Sequence, residues 1–154
     1  MNPIKTKPTG ARHEAKVTPA TLLPADHLEE VGSWGGVTRS LSYVYRPATA
    51  EALHEVLLLA RRSGRSVGLR GGGNSYGDAA MNSENVVVDL RRMNRVLDWN
   101  PETGHIRVEP GVTLAQLWQH VLEDGWWPPV ATGTSFTTMG GSAAMNVHGK
   151  NAYK

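Results

Sequence analysis

The apolar positions of this chain change period several times, and each change predicts an element. Tyr43-Val44-Tyr45 is a short aromatic and β-branched run stopped by Pro47, which reads as a strand. Thr49 then precedes Leu53, Val56, Leu57 and Ala60 at helical spacing, so Thr49 caps a helix that buries those four residues. Gly64 closes it, with Arg61 and Arg62 in the last turn, where the helix dipole favours positive charge. Ser66 to Arg70 and Val86 to Leu90 return to strand character. Two further strands, Arg95 to Trp99 and His105 to Glu109, flank the turn Asn100-Pro101-Glu102-Thr103-Gly104. A second helix starts at Thr113, with Gln116 completing a capping box; Leu114, Leu117, Trp118, Val121 and Leu122 form its buried face and Gly125 ends it. Small residues crowd Gly140 to Ala144, as in a short helix pressed against a ligand or another backbone. Residues 1 to about 30 are rich in Pro, Thr, Lys and Glu and have no period, which predicts a mobile tail or a surface-hugging arm. The division expected is a tail over 1–32 and a domain over 33–154, with order beginning near Ser33-Trp34-Gly35-Gly36.

Composition narrows the chemistry. A chain of 154 residues with 40% hydrophobic and 19% charged residues suits one globular domain. A net charge of +2 is too small to argue for nucleic acid or a membrane surface, and no apolar run is long enough to span a bilayer; a cytoplasmic address is the default. The absence of cysteine excludes disulfides, thiolate chemistry and cysteine-bound metal. His54-Glu55 opens like the zinc motif H-E-x-x-H, but Leu58 stands at the fifth position, so no metal site is expected. The clusters Arg61, Arg62, Arg65 and Arg91, Arg92, Arg95 read as helix ends and turns. Trp118, Trp126 and Trp127 read as packing, and His120 and Asp124 as solvated neighbours on one helix face. The sequence carries no signal for an oligomeric state.

The chemistry-bearing stretch is LRGGGNSYGDAAM, residues 69–81. A dinucleotide-binding Rossmann turn needs G-x-G-x-x-G; from Gly71 and Gly73 the third position is Tyr76, and from Gly72 the second is Asn74. A P-loop fails because Gly77 is followed by Asp78. Only a few polar residues separate Gly77 from Val86, which leaves no room for the helix either fold requires. What remains is a glycine-rich connection whose backbone N–H groups can crowd round an anion.

The pairing of L-R-G-G-G-N-S-Y-G-D with a later T-x-G-G-x-x-A-x-N-x-H-G-K-N resembles the FAD-binding, PCMH-type domain of the vanillyl-alcohol oxidase and p-cresol methylhydroxylase family, nearest to its ribose-, alditol- and sugar-lactone-oxidising members. The resemblance runs from about Trp34 to the last residue. It implies an α+β fold of two small mixed sheets with flanking helices and FAD between them, incomplete at its C-terminus, with the substrate domain absent. It implies that Gly71, Gly72, Gly73, Asn74, Ser75, Tyr76, Gly77 and Asp78 wrap the FAD diphosphate. Gly133, Thr138, Met139, Gly140, Gly141, Met145, Asn146, Val147 and His148 would line the other side and the flavin ring, with amides at the start of a helix near Gly140 aimed at the same charge. Arg70 has two readings, a diphosphate contact or a salt bridge at a strand end. His148 and Lys150 are the candidates for catalytic groups at the substrate end, Lys150 orienting a hydroxyl or an anionic group; a satisfied core histidine is the plainer reading of His148. The implied reaction moves a hydride from a hydroxyl-bearing carbon of a sugar, polyol or polyprenyl-phosphate sugar to the flavin. Relatives that bond flavin covalently carry G-G-H-S where this chain has Asn74, and some add a cysteine in the later segment, near Ser135 here; non-covalent FAD is expected. The alternative is a short protein that binds a nucleotide or a partner without catalysis.

Overall fold

The computed structural model describes residues 22–150. Strands β1 (Leu28–Gly32), β2 (Arg39–Tyr45), β3 (Val67–Arg70) and β4 (Val86–Asp89) form one mixed sheet in the order β1-β2-β4-β3. β1 runs antiparallel to β2, with Leu28 opposite Tyr43 and Gly32 opposite Arg39. β2 and β3 both run parallel to β4, so that Val86 faces Tyr43 on one side and Val67 on the other. β4 is thus central, and Val86, Val87 and Val88 are fully buried, the signature of a strand covered on both faces. Val86 and Val88 pack with Tyr45, Ala60 and Leu23, while Val87 packs on the opposite face with Val31 and Val44, as the two-residue alternation of a strand requires.

Helix α1 (Ala50–Arg62) connects β2 to β3 and covers the first of those faces. Its start is local chemistry: the Thr49 hydroxyl accepts from the Ala52 N–H at 3.2 Å. Its apolar stripe is shifted from the expected one: Leu53, Val56, Leu59 and Ala60 face the core, and Leu57 is 41% exposed. The second unit holds the antiparallel pair β5 (Val96–Asn100) and β6 (His105–Val108), with α2 (Leu114–Val121) and α3 (Met139–Ala144). Val112, Leu117 and Val121 form its core with Trp99, Ile106, Val108 and Met139 packed round them. The Thr113–Gln116 capping box is present. Leu122, expected on the buried face of α2, is 51% exposed although its backbone is still helical and its N–H donates to the Trp118 carbonyl; the buried stripe is Leu114, Leu117 and Val121.

The expected tail boundary needs correction. The segment before Ser33 is not all tail: Leu23 is buried, Ala25–His27 forms a 3-10 turn, and Leu28–Gly32 is an edge strand with Val31 in the core. Its sequence, LEEVG, has too few apolar residues to show a period. Its place is fixed from outside, by the ladder to β2 and by Arg39–Glu30 and Arg46–Glu29 pairs at 2.7 and 2.6 Å. The part of the expected tail over residues 1–21 lies outside the described residues. His120 and Asp124 are both exposed as expected, and Asp124 also accepts from the Trp99 indole N–H at 2.7 Å while His120 stands edge-on to the same ring. Among the described residues no helix is long and apolar enough to cross a membrane, and no cluster of potential metal ligands occurs.

Candidate functional site: a cleft between the glycine loop and the 136–147 segment

Parallel neighbours in a sheet are usually joined through a helix. β3 and β4 are joined instead by the loop 71–85. Its return is stapled by Asn82, whose Nδ2 donates to the carbonyls of Ser66 and Val86 at 3.1 and 3.0 Å. The freed space at the carboxyl ends of β3 and β4 is a cleft of about 440 Å³, the usual position of ligands on open α/β sheets. Its floor is Arg70 to Ser75, and its far wall is Thr137, Thr138, Gly140, Gly141, Met145 and Val147.

The loop is held from both sides. The Trp34 N–H donates to the Ser75 carbonyl at 3.0 Å, tying the loop to the β1–β2 turn. Asn74 Nδ2 donates to the Phe136 carbonyl at 3.2 Å, tying it to the second segment. Glycine is required at this seam: a Cβ on Gly71 would lie 2.2 Å from Thr138 Oγ1, and one on Gly72 would lie 2.7 Å from the Phe136 carbonyl oxygen. Gly73 has a φ of +70°, open to glycine at little cost.

Of the two readings of Arg70, the salt bridge at a strand end does not form among the described residues. Its guanidinium donates to the carbonyls of Ala80 and Gly32 at 3.2 and 3.1 Å, and no carboxylate lies within salt-bridge distance among the described residues. Burial, with the nearby Arg91 charge, lowers its pKa, but a guanidinium stays protonated. The N–H groups of residues 71–77 have no acceptor among the described residues. A run of unpaired amides beside an uncompensated cation, at a seam where only glycine fits, suits a phosphate group. The residues present therefore fit the diphosphate of FAD.

The sequence-predicted residues do not all meet here. Tyr76, Gly77 and Asp78 are exposed and lie outside the cleft lining. Met139 and Asn146 line an adjoining apolar cavity of about 450 Å³ beside Trp99 and Trp126, which shares Ser142 and Val147 with the cleft. Gly133 and Lys150 line a third cavity, of about 300 Å³. His148 is exposed and lines none of the three. The helix near Gly140 forms, yet its first amides are not free. Met139, Gly140 and Gly141 donate to the Val112 carbonyl, the Pro110 carbonyl and Thr138 Oγ1. They are therefore spent within the protein and cannot address a phosphate, and Gly140 is small because a Cβ there would lie 2.7 Å from Pro110. Sequence reasoning missed Leu90 and Pro110 as lining and Asn82 as the staple. Asn82 sits in a polar stretch where nothing marks one amide from another.

Known proteins resemble this chain in sequence and in fold. The model of the FAD binding domain family matches residues 41–154. Decaprenylphosphoryl-beta-D-ribose oxidase of Mycolicibacterium smegmatis is 36% identical over 119 residues, covering 77% of this chain and 26% of that protein. L-gulonolactone oxidase of Bos taurus is 32% identical over 68% of this chain and 23% of its own length. The chain thus spans about a quarter of the curated relatives it matches. Among solved structures, an alkyldihydroxyacetonephosphate synthase superposes with a TM-score of 0.64 at 20% identity, over 84% of this chain and 28% of that one. Aclacinomycin oxidoreductase gives 0.64 at 22% identity, over 76% and 24%; at such identities these two speak for the fold alone. With the family model matched across most of its length and FAD as the shared cofactor, the chain belongs to the FAD-binding domain family of flavin-dependent oxidoreductases.

Proposed function

We propose that the chain supplies the diphosphate cradle of an enzyme that oxidises a hydroxyl-bearing carbon of a sugar, polyol or polyprenyl-phosphate sugar. FAD, when bound, accepts the hydride; the work of these residues is binding and orientation. Gly71 to Ser75 offer their N–H groups to the diphosphate, and Arg70 adds a fixed positive charge behind them. Met145 and Val147 cover the opposite side. Lys150 and His148 are assigned to the substrate end, Lys150 as a donor to a substrate oxygen. The oxidised group is read from the ribose and gulonolactone oxidases among the relatives.

The observation that carries the reading is the set of unpaired amides at 71–75 lining the cleft beside an Arg70 with no carboxylate partner among the described residues. Flavin fluorescence and calorimetric titration of the chain with FAD, ADP and riboflavin test it. FAD and ADP should bind, and riboflavin should bind at least roughly tenfold more weakly, a difference of about 1.4 kcal/mol. Equal affinity for riboflavin and FAD would remove the diphosphate cradle from the proposal.

A further inference from the structure

Asn82 anchors the loop 71–85 at the end of the sheet opposite the cleft. Its Nδ2 donates to the Ser66 and Val86 carbonyls at 3.1 and 3.0 Å, and its Oδ1 accepts from the Ser66 hydroxyl at 3.2 Å. Both amide hydrogens and the amide oxygen are thus in use at the amino ends of β3 and β4. The Asn82 carbonyl accepts from the Ser42 hydroxyl of β2 at 2.9 Å, and Ser42 is fully buried. One residue therefore ties the returning limb of the loop to β2 and to the starts of β3 and β4. A Cβ on Gly68 would lie 3.0 Å from the Asn82 Cβ, so β3 is kept bare where Asn82 crosses it.

The anchored stretch leads back to the cleft. Met81 packs on Val31, Val44 and Val87. Ala80, two residues before Asn82, presents its carbonyl to the Arg70 guanidinium at 3.2 Å, and the Gly32 carbonyl takes a second N–H at 3.1 Å. That guanidinium lies against Gly73, where a Cβ would strike it. With no carboxylate on Arg70 among the described residues, these two carbonyls aim its charge. Gly32 is placed by the ladder of β1 with β2. Ala80 belongs to a loop, and its place depends on what pins residues 80–82.

We infer that Asn82 is a positioning residue for the cofactor cradle: by pinning residues 80–82 to the sheet it sets the Ala80 carbonyl, which aims the Arg70 charge beneath the glycines. A site held to within a fraction of an ångström needs such support from outside its own lining. The inference rests on the proposed diphosphate cradle and adds to it a residue outside the cleft that acts through Arg70.

A double-mutant cycle tests it, with FAD and ADP affinities read by calorimetry well below the unfolding temperature. Asn82→Ala should weaken both ligands roughly tenfold and leave riboflavin unaffected. In an Arg70→Gln background the same change should weaken them by less than about twofold, because the group it aims has gone. Thr49→Ala removes the N-cap of α1, outside the cleft lining. It controls for a general loss of stability and should leave FAD affinity unchanged. Ser42→Ala removes the bond to the Asn82 carbonyl and keeps the amide; it takes the place of Asn82→Ala in the cycle if that variant does not fold. FAD affinity within about twofold of the parent, equal losses in the parent and Arg70→Gln backgrounds, or an equal loss in Thr49→Ala overturns the inference. Riboflavin binding to the parent chain as tightly as FAD would remove the cradle and this inference with it. A parent that prefers FAD, with an Asn82→Ala variant that keeps the preference, removes the inference alone.

Discussion

Gly71 and Thr138 compete for the same space, and the outcome sets how tightly the two halves of the cleft close. Thr138 is 2% exposed, and its hydroxyl accepts from the Gly141 N–H at 3.3 Å, so it cannot swing away from a new methyl group. Gly71→Ala should cost about 1–3 kcal/mol, as overpacking in a tight seam does, and should weaken FAD binding by moving the loop off residues 136–138. Gly77→Ala is the control. No atom lies within 4 Å of a Cβ built there, and its stability should stay within about 0.5 kcal/mol of the parent. Urea unfolding of both variants checks this; equal losses would show that the loop is loose rather than seamed. The glycines themselves were legible because three in a row have few other uses. Their partner was not, since nothing in the sequence ties residue 71 to residue 138.

At the scale of elements, charge pairs lock the sheet where its apolar pattern is weakest. Asp89, at the end of β4, is 2% exposed. Burial raises its pKa, but hydrogen bonds from the Arg91 side chain and N–H, with the Arg91 and Arg46 charges, outweigh this and hold it below the ordinary carboxylate value. Arg46 also grips Glu29 on β1 through two hydrogen bonds, which lower that pKa as well. For a carboxyl whose folded pKa is depressed, the stabilisation is complete above the unfolded value of about 4 and is lost as pH falls through the folded one. Urea midpoints should therefore be flat with respect to these groups from neutral pH to about 5 and fall below about 4. Asp89→Asn should lose about 2 kcal/mol at neutral pH, with the gap to the parent narrowing in acid. A constant gap at every pH would mean that the carboxylate charge contributes nothing. These pairs explain why β1 escaped the sequence while α2 did not. The capping box of α2 is written within four residues, with Gln116 N–H to Thr113 Oγ1 at 3.2 Å and Thr113 N–H to Gln116 Oε1 at 2.9 Å. The Glu29–Arg46 pair joins residues 17 apart. Thr113→Ala should cost about 1 kcal/mol, read as a lower urea midpoint with an unchanged slope.

At the scale of the whole molecule, two motifs that read as one site are divided among three cavities. The later segment passes all of them, so Met145 reaches the glycine-loop cleft, Asn146 the apolar cavity, Val147 both of these, and Lys150 the third cavity. A motif spells an order of residues, and which face each takes depends on turns such as Asn146, whose φ is +45°. The same distribution bears on how flavin is attached. Asn74, where a covalently bonding relative has histidine, spends its Nδ2 on the Phe136 carbonyl, and its Oδ1 is buried without a partner. A carboxamide nitrogen with its lone pair delocalised is not a nucleophile, and the chain has no cysteine to offer a second bond. In the proposed cradle, retention rests on hydrogen bonds from the 71–75 amides, the charge of Arg70 and burial in the cleft. FAD should come away when those interactions are destroyed together. Acid precipitation of the FAD-loaded chain should release the yellow colour to the supernatant, and denaturing electrophoresis should show no fluorescent band. Colour that stays in the pellet and migrates with the polypeptide would require a covalent attachment that neither Asn74 nor any cysteine can provide.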